Sequence, residues 1–197
     1  MTNMLKINKC IQSFNKTIVV DGDKSLSIRW VLIASQSIGS SKAYNLLMSQ
    51  DVLAAIESIK KLGIKVHMYK NYCEILGNGI NGFKYKSKLI INAKNSGTLG
   101  RLILGLLIKT PLKIKLIGDR SLSKRDFSRV TIPLKKFGAK FYYKEKNRLP
   151  LSILGSKSSK GIYYLEDKGS AQCKSSIMLA ALNSSGITSI KAKKSRN

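Results

Sequence analysis

Asp23-Lys24-Ser25-Leu26-Ser27-Ile28-Arg29 opens the apolar run Trp30-Val31-Leu32-Ile33-Ala34. The run reads as a helix, and a Lys, two Ser and an Arg crowd its first turns. Free backbone N–H groups and the helix dipole already favour an anion at such an end. Capping of a solvated first turn is the simpler account of the same residues. The arrangement recurs, however. Asn95-Ser96-Gly97-Thr98-Leu99-Gly100-Arg101 precedes Leu102-Ile103-Leu104, and Gly169-Ser170-Ala171-Gln172-Cys173-Lys174-Ser175 precedes Ile177-Met178-Leu179-Ala180-Ala181. The step from Ser25 to Ser96 is nearly the same as that from Ser96 to Ser170.

A second series keeps almost the same step. Ile59-Lys60-Lys61-Leu62-Gly63-Ile64 resembles Leu134-Lys135-Lys136-Phe137-Gly138-Ala139, and the interval from Gly63 to Gly138 matches the interval between the serines. Each reads as a helix end with Gly just beyond it, entering a strand. The period exceeds that of common solenoid repeats, so small α/β units fit better than a rod. Working outward, the pattern predicts strands within 5–20, a helix over 24–38, a turn at Gly39–Ser41 and a strand over 42–47. Asp51 is expected to cap a second helix, with Val52, Ala55, Ile56, Ile59 and Leu62 at helical spacing. Strands follow near 64–69, 72–76 and 88–92, then a helix over 96–109 and a strand over 112–117. Asp126–Phe137 reads as a helix kinked or interrupted at Pro133. Strands near 140–144, 151–154 and 161–166, a helix over 170–183 and a strand over 187–192 complete the reading. The fold class is α/β (α+β): strand–helix–strand–helix–strand–strand units, two of them and part of a third.

The 197 residues include 36 Lys and Arg against 10 Asp and Glu, a net charge of +26. That surface attracts anions, nucleic acid included. Yet 29 of the basic residues are Lys and only 7 are Arg, and the lysines are scattered. Nucleotide bias toward adenine and thymine produces such a mix without selection for binding. A base-reading protein calls for clustered Arg and aromatics on a strand platform, and the aromatics here are few and dispersed. Cys10, Cys73 and Cys173 are isolated and His67 is the only histidine, which argues against a zinc site or a disulfide framework and suits a reducing compartment. There is no secretory signal pattern at the N-terminus and no apolar stretch approaching about 18 residues.

As an ordered set, five segments resemble the 3-phosphoshikimate 1-carboxyvinyltransferase (EPSP synthase) family: 23–29, 95–101, Gly118-Asp119-Arg120-Ser121-Leu122-Ser123-Lys124-Arg125, 169–175, and Ser195-Arg196-Asn197. The resemblance spans nearly the whole chain but only about the first half of the family's length. It implies a fold of two similar domains, each of three βαβαββ units, closing over the substrates. Residues 1–17 would be opening strands of the other domain, and 18–197 most of one domain, truncated in the third unit. The implied reaction joins shikimate 3-phosphate to phosphoenolpyruvate and releases phosphate, in chorismate and aromatic amino acid biosynthesis.

By resemblance, Lys24, Ser25, Arg29, Ser170, Ala171 and Arg196 contact shikimate 3-phosphate. Lys24, Gly97, Arg125 and Gln172 fall where phosphoenolpyruvate binds, and Asp51, Asn95 and Arg101 match recurrent cleft positions. The implied partners are those two anions, with no cofactor, no metal, no specific nucleic acid and no membrane. The implied setting is cytoplasmic, in a family usually monomeric. Ile28 replaces a usual His, Gln50 an acidic residue, and Asp126 a usual Pro. The family's catalytic carboxylates lie beyond the matched length, so the isolated chain is expected to be inactive. The related enolpyruvyl transferase of cell-wall synthesis fits the Lys24-Ser25-x-Ser27-x-Arg29 order less well. A basic nucleic-acid-binding protein and a non-catalytic remnant are the alternatives outside the class.

Overall fold

A computed structural model describes residue 15 and residues 17–193. Of the two strands expected around a turn within 5–20, the part at 5–14, with Cys10, lies outside the described residues, as does Arg196. Residues 17–23 form no regular element, so the strand expected at Ile18–Val20 is absent there, and these side chains are 70%, 95% and 66% exposed. The elements then run α1 (Lys24–Ala34), β1 (Ile38–Tyr44), α2 (Gln50–Lys61), β2 (Lys65–Met68) and β3 (Tyr72–Asn78). There follow β4 (Ile90–Asn92), α3 (Gly97–Leu106), β5 (Ile114–Ile117), α4 (Arg120–Ser123), α5 (Ser128–Lys136), β6 (Lys140–Tyr143) and β7 (Leu151–Leu154). The described part ends with β8 (Tyr163–Glu166), α6 (Ala171–Ala181) and β9 (Ser189–Ala192).

The middle unit has the expected order, β4-α3-β5-α5-β6-β7, with the short α4 added. Its sheet is ordered β4-β5-β7-β6, with β4 and β5 parallel and the other pairs antiparallel. The first unit shows the last three strands of that pattern, β1-β3-β2, all antiparallel. The third shows the first two, β8 and β9, parallel with Tyr163 opposite Ser189.

Short polar side chains start the inner helices. Asp23 Oδ1 accepts from Leu26 N at 2.7 Å, Ser96 Oγ from Leu99 N at 3.2 Å, and Ser170 Oγ from Cys173 N at 3.2 Å. Each satisfies a backbone donor that the helix leaves free. Asp51 is not a cap: Ser49 holds that position and Asp51 lies in the first turn of α2. Gly63 and Gly138 close α2 and α5 with φ of +86° and +94°, the left-handed geometry that glycine adopts without a Cβ penalty.

The core sits around α3. Every residue of that helix but Arg101 is buried, so it is apolar on nearly all sides and must lie at the centre. α1 and α6 both pack against it. At the α3–α6 crossing, a Cβ on Gly105 would stand 2.2 Å from Ser176 O, so only glycine permits this approach. Ser176 Oγ donates to Arg101 O at 3.0 Å across the same crossing. Gln172 meets Thr98 and Ser176 meets Arg101, pairs related by the repeat step, so the two helices run parallel and in register with the repeat.

α1 ends at Ala34, short of the expected 38, and three further features differ from expectation. β1 begins at Ile38, because Gly39-Ser40-Ser41 continues the antiparallel ladder with β3 instead of turning. α4 forms because Asp119 Oδ1 accepts from Leu122 N at 2.7 Å, a cap inside what reads as a turn. Helix α5 passes through Pro133. Proline lacks the N–H that would pair with the carbonyl one helical turn back, at Arg129. That carbonyl accepts instead from Cys173 Sγ at 3.0 Å, tying α5 to α6.

Candidate active site

The first turns of α3 and α6 meet at one end of the bundle. Arg101 donates to Gln172 Oε1, and Gln172 Nε2 donates to Thr98 Oγ1 at 3.0 Å. Gly97 lies beneath two guanidinium groups. A Cβ there would be 2.9 Å from Arg125 Nη1 and 3.4 Å from Arg101 Nη1. α4 and the turn after it deliver Arg125, with Arg125 N bonded to Leu122 O at 3.1 Å. The repeated small-residue helix starts therefore converge on Gly97, Arg101, Arg125 and Gln172.

α1 joins this end through Arg29. Its Nη1 donates to Ser25 O at 3.1 Å and its Nη2 to Ser175 Oγ of α6 at 3.3 Å. Lys24 Nζ pairs with Asp51 Oδ2 at 3.3 Å, so the first turn of α2 holds the α1 cation. Asn95 donates to Asp119 Oδ2. Backbone N–H donation from Leu122 and that amide hold the Asp119 carboxyl below its usual range.

Beside the Arg101–Gln172 contact is a cleft of about 370 Å³. Its walls are Arg101, Arg129, Lys168, Lys174 and the stretch Gly169–Gln172, which includes Ser170 and Ala171. Four cations face the space, and among the described residues no carboxylate lines it. Burial lowers the Arg101 pKa, and the Arg125 and Arg129 charges lower it further, against an opposing pull from Asp126. Asp126 is itself occupied. Burial pushes its carboxyl up, but donation from the Ser128 hydroxyl and N–H outweighs this, leaving it below the usual range. The cleft floor is held by Glu166, which is 3% exposed. Its Oε1 accepts from Lys168 N at 3.1 Å and its Oε2 from Ser170 N at 3.0 Å.

Of the sequence-derived residues, Arg101, Ser170, Ala171 and Gln172 line the cleft, while Gly97 and Arg125 adjoin it. Lys24, Ser25 and Asp51 form their own group, tied in through Arg29. Asn95 braces the start of α4. Arg196 is outside the described residues. Sequence reasoning missed Arg129, Lys168 and Glu166. Arg129 is open to detection, since it is a basic residue in the first turn of the helix expected over Asp126–Phe137.

A βαβαββ repeat whose helix starts gather cations around small residues defines a class of anion-handling α/β proteins. The EPSP synthase (3-phosphoshikimate 1-carboxyvinyltransferase) family profile matches residues 9–196, and the chain belongs to that family. The 3-phosphoshikimate 1-carboxyvinyltransferase of Bacillus cytotoxicus is 39% identical over 180 residues, covering 91% of this chain and 42% of that protein. The Streptococcus mutans protein of the same name is 36% identical over 195 residues, covering 98% and 45%. A solved EPSP synthase from Acinetobacter baumannii superposes with a TM-score of 0.86 at 32% identity, covering 91% of this chain and 41% of that one. The chain thus spans about two fifths of the length of these relatives. Among the described residues, no helix is long and apolar enough to cross a membrane.

Proposed function

We propose that this chain supplies the cationic half of an enolpyruvyl transfer site. In this reading residues 18–197 are most of one domain and residues 1–17 belong to the other. The site takes shikimate 3-phosphate and phosphoenolpyruvate and yields 5-enolpyruvylshikimate 3-phosphate and phosphate. The observation that carries the reading is the gathering of Gly97, Arg101, Arg125 and Gln172 at the shared end of α3 and α6. Two anionic substrates repel each other, and fixed guanidinium groups offset that repulsion with charge-assisted hydrogen bonds.

Lys24, Ser25, Arg29, Ser170, Ala171 and Arg196 are assigned to shikimate 3-phosphate. Lys24, Gly97, Arg125 and Gln172 are assigned to phosphoenolpyruvate. Gly97 allows the ligand to approach backbone closely, and Gln172 is oriented by Thr98 and Arg101 before any ligand arrives. The substrate hydroxyl gives up its proton and adds to the enol carbon while the methylene carbon gains a proton; phosphate and one proton of the resulting methyl group then leave, restoring the double bond. Those proton transfers need acid and base groups. Within this chain Asp51 is paired with Lys24, Asp119 caps α4 and Asp126 is bonded to Ser128. The chain on its own is therefore expected to bind substrate without turning it over.

Calorimetry with shikimate 3-phosphate tests this. Lys24 is 52% exposed in its side chain, so Lys24→Ala should weaken binding by about 1.5–3 kcal/mol, the value of a hydrogen bond to a charged group. Lys86→Ala, on an exposed loop, should leave binding unchanged. Equal losses at the two positions would mean that binding follows net charge and not a built site.

A further inference from the structure

The aromatics are dispersed along the sequence, yet the first sheet gathers three of the eight tyrosines and the only histidine. β1 and β3 place Tyr44 directly opposite Tyr72, with ring centroids 5.6 Å apart. At the β2–β3 turn Tyr69 N donates to Tyr72 O at 2.9 Å, and the two rings stack at 4.4 Å with 20° between their planes. His67 extends the row, its ring 6.4 Å from that of Tyr69. Cys73 and Ile75 alternate with Tyr72 along β3 and are buried in the core, so Tyr72 and its neighbours stand on the outer face.

Cross-strand pairing accounts for Tyr44 with Tyr72. It does not account for Tyr69, which sits at a turn. Tyr44 and Tyr69 are 69% and 48% exposed, so both keep ring surface open to water. Lysines surround the row: Lys42 Nζ is 5.3 Å from the Tyr72 ring centroid, Lys65 shares a face of β2 with His67, and Lys70 occupies the turn. The carboxylate beside them, Glu74, is already engaged. It accepts from the Ser40 hydroxyl at 2.6 Å and pairs with Lys42 at 3.9 Å. Tyr69 and Tyr72 also wall a cavity of about 320 Å³ with Met48, Met68, Asn45 and Asn71, which offers apolar surface to a flat ring and amides to its edge.

We propose that this face binds single-stranded nucleic acid, with unpaired bases stacked on Tyr44 and Tyr69 and phosphates held by Lys42, Lys65 and Lys70. Every base has a π-face, so such a platform accepts any sequence and prefers single strands, whose bases are free to stack. None of these residues lines the cleft at Arg101 and Gln172, so strand binding can fail while substrate binding stands, and the reverse.

Net charge alone attracts any polyanion, so the experiment separates rings from charge. A fluorescent oligouridine of about ten nucleotides is titrated with the 197-residue chain at about 100 mM salt, with inorganic polyphosphate of matched charge as competitor. The oligouridine should bind at least tenfold more tightly than polyphosphate. Tyr44→Ala and Tyr69→Ala should each weaken it about tenfold, the loss of one stacked base, and leave polyphosphate binding unchanged. Tyr44→Phe and Tyr69→Phe keep the ring and should bind as the parent chain does. Tyr163→Ala, similarly exposed on β8, should change nothing. Equal affinity for polyphosphate, indifference to Tyr44→Ala and Tyr69→Ala, a matching loss in the Phe variants, or an equal loss at Tyr163→Ala would each overturn the proposal.

Discussion

Two glycines of α3 offer a controlled test of the packing. Gly100→Ala and Gly105→Ala each replace glycine by the best helix former, a gain of about 0.8–1 kcal/mol. They differ in what the new methyl meets. At Gly100 the nearest atoms are Phe127 Cζ at 3.4 Å and Ala93 Cβ at 3.5 Å, ordinary contact distances. At Gly105 the nearest atom is the backbone oxygen of Ser176 at 2.2 Å, which no rotamer change can move. α3 and α6 would have to move apart. Overpacking of this kind costs about 1–3 kcal/mol, and loss of the Ser176–Arg101 bond across the crossing adds about 1 kcal/mol. Against the propensity gain, the net for Gly105→Ala is a loss of about 1–3 kcal/mol, whereas Gly100→Ala is neutral or stabilising by up to about 1 kcal/mol. Urea unfolding followed by circular dichroism reads both, and a loss of about 1 kcal/mol in a chain this size lowers Tm by about 2–4 °C. If Gly105→Ala proved as stable as Gly100→Ala, the close parallel packing of α3 and α6 would be wrong.

Burial and the neighbouring Glu166 charge push the Cys173 thiol up to about 11 from an ordinary 9.0. The unfolded chain then ionises first, so stability should hold below pH 9 and fall between pH 9 and 11; Cys173→Ser, which keeps a donor for Arg129 O, should flatten that fall in urea titrations. Glu166→Gln turns one of two acceptors into a donor facing an N–H, at about 1–3 kcal/mol. Hydrogen exchange should then speed up at Lys168 and Ser170 while β6 and β7 are unchanged, and exchange rising uniformly instead would mean that Glu166 supports the whole fold. DNA affinity should collapse by about 10³-fold or more between about 50 and 200 mM salt without base preference, and a salt-resistant, sequence-selective complex in a gel-shift assay would favour the nucleic-acid reading.

What is legible in the sequence is set by local chemistry. Caps at Ser96 and Ser170, glycines at 63 and 138, and the recurrent step between helix starts all report on neighbouring backbone, and the helices fall where they indicate. The start of β1 escapes such reading because Gly39-Ser40-Ser41 is turn-like in composition, while its strand conformation comes from β3, beyond the whole of α2 and β2. Asp51 reads as a cap by position, yet its charge goes to Lys24 on another helix. The link between Pro133 and Cys173 cannot be seen locally, since a proline on α5 frees one carbonyl and a cysteine on α6 takes it. Of the site, the residues flanking the helix starts are legible. Glu166 is not, because a carboxylate buried to hold two backbone N–H groups looks like any other strand residue.

The parallel alignment of α3 with α6, and of α1 beside α6 through Arg29 and Ser175, has a thermodynamic side. Three helix starts at one end bring roughly half a positive charge each, before any side chain is counted. Arg101, Arg125 and Arg129 add theirs, and the Arg101 pKa is lowered first by burial and then by the Arg125 and Arg129 charges. This concentration of positive charge works against the folded state, and a small dianion seated there would relieve it. Occupancy at about a hundred times the dissociation constant would add about 2.7 kcal/mol to unfolding. Melting temperature should accordingly climb with phosphate or phosphoenolpyruvate at constant ionic strength, which makes the ligand a part of the chain's own folding equilibrium.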